Sequence, residues 1–241
     1  MAVTTVYQSS QGRVGNSASG TLAAAWASAK GTNATTGNSV GSTSTNDNFG
    51  SRTEAARGGA FLATNYRAYF YFDLSSISDI TGITFTARGG TNSTNQNGDW
   101  IAARANQDAD FGTIATSDYT LVYNSSTGFT NYSQNVASWS YNADNTVTLN
   151  PTAVTNSNNE GELCVCVMNY FYDYNGGEVE GSIGDIFNSL SFINSGTTRA
   201  RLTVTHTVAS GYDNEVNAII PASISKVLGI ATADISKVTG V

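Results

Sequence analysis

The sequence predicts an all-β protein, a β-sandwich or jelly roll over residues 1–210 followed by a short repetitive arm over residues 211–241. Three observations carry that expectation. Short runs alternate apolar and polar residues with a period of two, the mark of half-buried strands. Stretches rich in Gly, Asn, Ser and Thr separate them and read as turns. Helical periodicity is scarce, and many short strands with turns between them fit a sandwich.

Taken in order, residues 21–30 (TLAAAWASAK) hold helix formers between Gly-rich stretches and leave helix or strand open. Residues 31–59 are polar and Gly-rich, which predicts a large surface excursion. Residues 67–74 (RAYFYFDL) give the clearest strand, with Tyr69, Tyr71 and Asp73 alternating with Phe70, Phe72 and Leu74. Residues 83–87 (ITFTA) and 146–149 alternate again. Residues 163–167 are almost wholly apolar and predict a central strand, while 190–193 and 200–206 (ARLTVTH) close the series. Residues 89–98 and 156–161 are predicted as surface loops.

Only 12% of the 241 residues are charged and 40% are hydrophobic, so the chain can bury a core and present a neutral surface of hydroxyls and amides. The net charge is −7, and the three lysines, Lys30, Lys226 and Lys237, form no basic run. That excludes nucleic acid as a partner, and an anionic membrane surface with it, because both need clustered cations. No apolar stretch is long enough to span a membrane, and the first twenty residues lack the pattern of a signal peptide. An intracellularly made protein assembled into a particle and a secreted protein whose leader has been removed both fit. Cys164 and Cys166 stand one residue apart. On a strand they share a face about 6.5–7 Å apart, poor geometry for a disulfide, and read as small buried residues.

The arm contains an internal repeat. Ile224-Ser-Lys226-Val227-x-Gly returns eleven residues later as Ile235-Ser-Lys237-Val238-x-Gly. Its apolar spacing permits an eleven-residue helical period. Gly229 and Gly240 together with the β-branched residues favour extended segments with turns at the glycines. So short an apolar strip needs a neighbour to pack on, which makes Ile224, Lys226, Val227, Ile235, Lys237 and Val238 the candidate assembly residues.

Catalytic constellations are thin. His206 is the sole histidine, and in the last strand pattern it reads as a satisfied edge-strand residue. One His with a Cys-x-Cys pair does not make a zinc site, and no phosphate-binding or dinucleotide fingerprint is present. A glycosidase needs two carboxylates, for which Asp108, Asp110, Asp173, Glu178 and Glu180 are available, each in a loop context where solvated carboxylates are ordinary. The expectation is therefore a protein that is not an enzyme and has no cofactor. Sugar binding asks for exposed aromatic faces beside hydrogen-bonding groups. Trp100, Tyr170, Tyr172 and Tyr174 are the candidates, the three tyrosines sharing one face if residues 169–174 (NYFYDY) form a strand. Core packing with hydroxyls at the rim is the alternative for these residues.

Four stretches carry a resemblance: RAYFYFDLSSI at 67–77, ITGITFTA at 80–87, LNPTAVTNSNNEGELCVCV at 149–167 and SLSFINSGTTRARLTVTH at 189–206. In this order they resemble the DNRLRE or disaggregatase-related jelly-roll family, kin to carbohydrate-binding domains. The likeness covers roughly residues 60–206, with Ala200 where a Pro is usual and His206 where a Tyr is usual. It implies a jelly-roll β-sandwich, either a module of secreted polysaccharide-active proteins or, as the repeat arm suggests, a phage virion protein. The expectation that follows is a head-decoration or fibre module on the virion surface. Its partners would be capsid or other virion proteins, in a homo-oligomer for which a trimer is the natural fibre form. The alternative is an extracellular carbohydrate-binding module that engages surface glycans. A structural calcium, common in such modules, would fall to Asp173, Glu178 and Glu180.

Overall fold

The computed structural model describes residues 1–30, 39–41, 46–56, 58–92, 98–105, 116, 123–124, 128–140, 142–177, 185–191, 198–207, 226–227 and 230–231. They form an all-β sandwich of two antiparallel sheets. The strands are β1 (Ala2–Tyr7), β2 (Ser10–Gly20), β3 (Ser39–Gly41), β4 (Asn46–Ala55), β5 (Phe61–Asp73), β6 (Ile80–Asn92) and β7 (Trp100–Arg104). The pair β8 (Tyr123–Asn124) and β9 (Gly128–Phe129) follows, then β10 (Asp144–Thr148), β11 (Glu162–Asn169), β12 (Asp185–Ser191) and β13 (Arg201–His206). In the arm, β14 (Lys226–Val227) pairs antiparallel with β15 (Ile230–Ala231).

One sheet runs β10–β6–β13–β1. The other is organised by the thirteen-residue β5. Along one edge of β5 lies β2, with β3 beyond it; along the other edge β4 and β11 lie end to end. β12 extends this sheet beyond β4, and β7 extends it beyond β11. β12 also meets the end of β6 through Asn188 opposite Asn92 and Leu190 opposite Gly89, which joins the two sheets at one corner. β4 and β3 therefore fall within the stretch expected to be one surface excursion, and β4 is an internal strand. β13 has a neighbour on each side, so His206 does not lie on an edge strand.

The core between the sheets follows from alternation. Phe70 and Phe72 of β5, with Leu74 just after it, face Ile83 and Phe85 of β6 and Leu202 and Val204 of β13, all buried. The rings of Phe70 and Phe85 meet edge to face at 5.3 Å. Each such side chain, fully withdrawn from water, contributes about 1.5–3 kcal/mol. β11 is central, as its apolar run predicts. Leu163, Val165 and Val167 join this core, while Cys164, Cys166 and Met168 turn to the opposite face and are buried there with Tyr69, Ile101 and Ala103. Both cysteines are free thiols, and burial pushes Cys166 far above its ordinary value.

Among the described residues two α-helices pack against the strands. α1 (Leu22–Ala29) settles the open reading of residues 21–30 and is capped by Thr21, whose hydroxyl accepts from Ala24 N at 3.4 Å. It is held on β2 because Asn16 Nδ2 donates to Ser28 O at 2.8 Å. α2 (Pro151–Glu160) replaces the loop expected at 156–161. Asn150 caps it, Pro151 starts it and Gly161 ends it at φ 68°, a left-handed conformation that suits glycine. The loop expected from residue 89 is likewise corrected: β6 continues to Asn92. Gly89 is needed there because a Cβ would lie 1.9 Å from Ser140 O.

Candidate functional site

The densest polar and aromatic chemistry lies where β5, β11 and α1 meet residues 170–174. That segment is not a strand. It forms a π-helical turn (Tyr170–Tyr174), closed by Asn175 N donating to Tyr170 O at 2.8 Å. The reason is local: Asn169 Oδ1 accepts from Tyr172 N at 2.7 Å and turns the chain at the end of β11. The expected shared face of three tyrosines is therefore corrected. Tyr170 and Tyr174 stack at 5.6 Å with an interplanar angle of 20°, and Tyr174 stacks on Phe129 at 5.3 Å. Tyr172 points the other way and is buried edge-on against Trp26 of α1.

The π turn also carries Asp173 into the protein. Its two oxygens accept from Arg67 Nε and Nη2, each at 2.7 Å, and neither side chain is exposed. Arg67 Nη2 donates further to Lys30 O at 3.2 Å, and the guanidinium lies 5.2 Å from the centroid of Phe129. From α1, Trp26 Nε1 donates to Gly177 O at 3.0 Å and Lys30 Nζ to Gly176 O at 2.8 Å. A buried bidentate pair with both partners satisfied is a structural clamp. It fastens α1 and the π turn to the sheet.

Trp100, expected to offer a sugar-binding face, is fully buried, with its indole on Trp139 at 5.3 Å and Nε1 donating to Ser138 O at 3.3 Å. A ring so enclosed has no face for a ligand. Of the four aromatic candidates only Tyr170 and Tyr174 remain half-buried, beside Phe171, which is 37% exposed. Burial raises the pKa of the Tyr174 phenol, and Tyr170 adds to the shift. A calcium at Asp173 would have to displace the guanidinium of Arg67. Glu178 and Glu180 lie outside the described residues, as do Asp108, Asp110, Ile224, Ile235, Lys237 and Val238. Among the described residues no group of three His, Cys, Asp or Glu could hold a metal ion.

Sequence reasoning missed Phe129 and Arg67. Arg67 had a signal: it is a lone cation at the head of an apolar strand, and a buried arginine requires a carboxylate or carbonyls. Phe129 had none, because its partners come from a distant part of the chain.

A second feature is an open pocket of about 600 Å³ between the β5–β6 connection and α2, lined by Leu74, Ile77, Asp79, Ile80, Asn158 and Thr207 among others. Much of its polar chemistry is spent internally. Asn158 accepts from Ile80 N at 2.8 Å and donates to Ile80 O at 2.9 Å, and Thr207 Oγ1 donates to Asp79 O at 3.3 Å. Among the described residues Asp79 is the one carboxylate in the lining. His206 is engaged with Thr4, Nε2 to Oγ1 at 3.0 Å. No helix among the described residues is long and apolar enough to cross a membrane. No protein-family model and no curated protein sequence matches this chain.

Proposed function

We propose that this chain is a non-enzymatic structural protein of a virion surface, a jelly-roll head-decoration or fibre module whose arm attaches or oligomerises it. One observation carries the reading. β1 pairs with β13 over six residue pairs, from Ala2 opposite His206 to Tyr7 opposite Arg201, so the sandwich joins its first strand to β13, which ends at residue 206. The eleven-residue repeat follows that strand as an addition, with an apolar strip that calls for a neighbour. The neutral surface suits an exposed module, and capsid proteins and further copies of the chain are its partners. The test is the mass in solution of the full chain beside a truncation ending at residue 210, with binding to a shell scored for both. A defined full-length oligomer or shell complex that is lost in a folded truncation supports the reading. Equal monomers with no shell binding sink it.

A second reading, an extracellular carbohydrate-binding module, is favoured by the Phe129–Tyr174–Tyr170 stack beside exposed Phe171. Half-exposed aromatic rings offer sugar CH faces a platform. Sugar binding that survives removal of the arm and fails in Tyr170→Ala would put this reading first.

A further inference from the structure

The geometry points to β1 as a self-pairing edge: two copies of the chain join antiparallel through β1 about a two-fold axis centred on Thr5. Of the four strands in its sheet, β1 lies at one end, with β13 as its neighbour among the described residues. An exposed edge offers a row of unpaired amides and carbonyls, and proteins ordinarily blunt it with lysine, proline or a bulge. Ala-Val-Thr-Thr-Val-Tyr has no charge and no proline, and its register with β13 is unbroken. By contrast, the outer edge of β7 is capped by bridges from Trp100 to Val136 and from Ala103 to Asn131.

The hydrogen-bond phase selects the register. Gln8 N donates to Ala200 O at 3.1 Å, immediately after the Tyr7–Arg201 pair. Bonded and non-bonded pairs alternate in an antiparallel ladder. Ala2, Thr4 and Val6 therefore bond to β13, and the amides and carbonyls of Val3, Thr5 and Tyr7 turn outward. A two-fold axis normal to the sheet pairs residues of like parity. Centred on Thr5, it sets Thr5 opposite its own copy and Val3 opposite Tyr7 of the second chain, so all three outward residues find partners at once. Val3 is 66% exposed, unusual for a β-branched residue in a sheet. In the pair it meets a tyrosine ring, a favourable cross-strand combination, while threonine meets threonine. Each chain carries −7 overall, but no charged side chain of β1 faces another across the join. The pairing does not depend on the virion reading or on the arm.

The test combines amide hydrogen exchange with mass in solution, both on the full-length chain. In the wild type the amides of Val3, Thr5 and Tyr7 are protected, increasingly so with concentration, and the mass is an even multiple of the chain. Thr5→Lys sets like charges face to face. It speeds exchange at these three amides by about tenfold or more and halves the mass. Thr5→Glu behaves the same, and mixing the two variants restores mass and protection. The amides of Ala2, Thr4 and Val6 stay protected throughout, which reports an intact fold. Free exchange at Val3, Thr5 and Tyr7 in the concentrated wild type overturns the pairing. So does a Thr5→Lys chain of unchanged mass and protection, or a mixture that fails to recover.

Discussion

Arg67 of β5 and Asp173 of the π turn meet through two parallel 2.7 Å hydrogen bonds with neither side chain reaching solvent. The pair is separated by more than a hundred residues in sequence and holds the π turn that follows β11 against β5.

Removing one partner leaves a charge stranded in the interior. Asp173→Asn or Arg67→Met should each cost about 3–5 kcal/mol of stability, read as a lower urea midpoint. Replacing both with apolar residues of similar volume should recover much of the loss. A single variant as stable as the wild type would show that water reaches the pair.

The two thiols should be silent in the folded protein. Cys164 and Cys166 are buried, and burial holds the Cys166 thiol protonated at neutral pH. A thiol reagent should find no reactive cysteine under native conditions and two in denaturant. Rapid native labelling would mean that the face of β11 carrying them opens.

Gly89→Ala should destabilise by about 1–3 kcal/mol through overpacking. The added Cβ would meet Ser140 O at 1.9 Å and Asn145 Nδ2 at 2.9 Å. Ser140 cannot retreat freely, because Asn145 Oδ1 accepts from its amide at 2.7 Å and Asn145 Nδ2 donates to its carbonyl at 3.0 Å. Thermal unfolding of the variant checks this, and an unchanged midpoint would show the segment at 138–145 to be adjustable.

These positions also show where the sequence is legible. The alternation in RAYFYFDL places Phe70, Phe72 and Leu74 in the core because period two is a property of the strand itself. The apolar run of β11 betrays a strand covered on both faces. The segment YFYDY carries the same period, yet Asn169 and the demand of Arg67 for Asp173 override it, and long-range pairing leaves no local trace. Residues 156–161 have loop composition, but the helix was written in its ends, with Asn150 and Pro151 before it and Gly161 after. Gly89 reads as a turn residue when its real role is to admit the Ser140 carbonyl of the segment leading into β10.

Two aspartates should shift stability with pH in opposite directions. Hydrogen bonding to Arg201 is the largest cause lowering the pKa of Asp144, with the charges of Arg201 and Arg88 adding to it. Its folded value lies below its unfolded one, so its contribution is present above the ordinary aspartate range and is lost as pH falls through the folded value. Asp99 is the reverse. Desolvation raises its pKa, against hydrogen bonds from the Phe171 amide and its own, and among the described residues its Oδ1 has no hydrogen-bond partner. Ionising it therefore opposes folding, a penalty absent below the ordinary aspartate value and complete above the raised one. Asp99→Asn should stabilise the protein at neutral pH, and the gain should vanish in acid. Asp144→Asn should destabilise it slightly at neutral pH, the loss screened by partial exposure and also vanishing in acid. Urea unfolding of both variants across the acid range separates the two signs. A neutral-pH loss in Asp99→Asn would mean that its hydrogen bond to the Phe171 amide outweighs the cost of burying its charge.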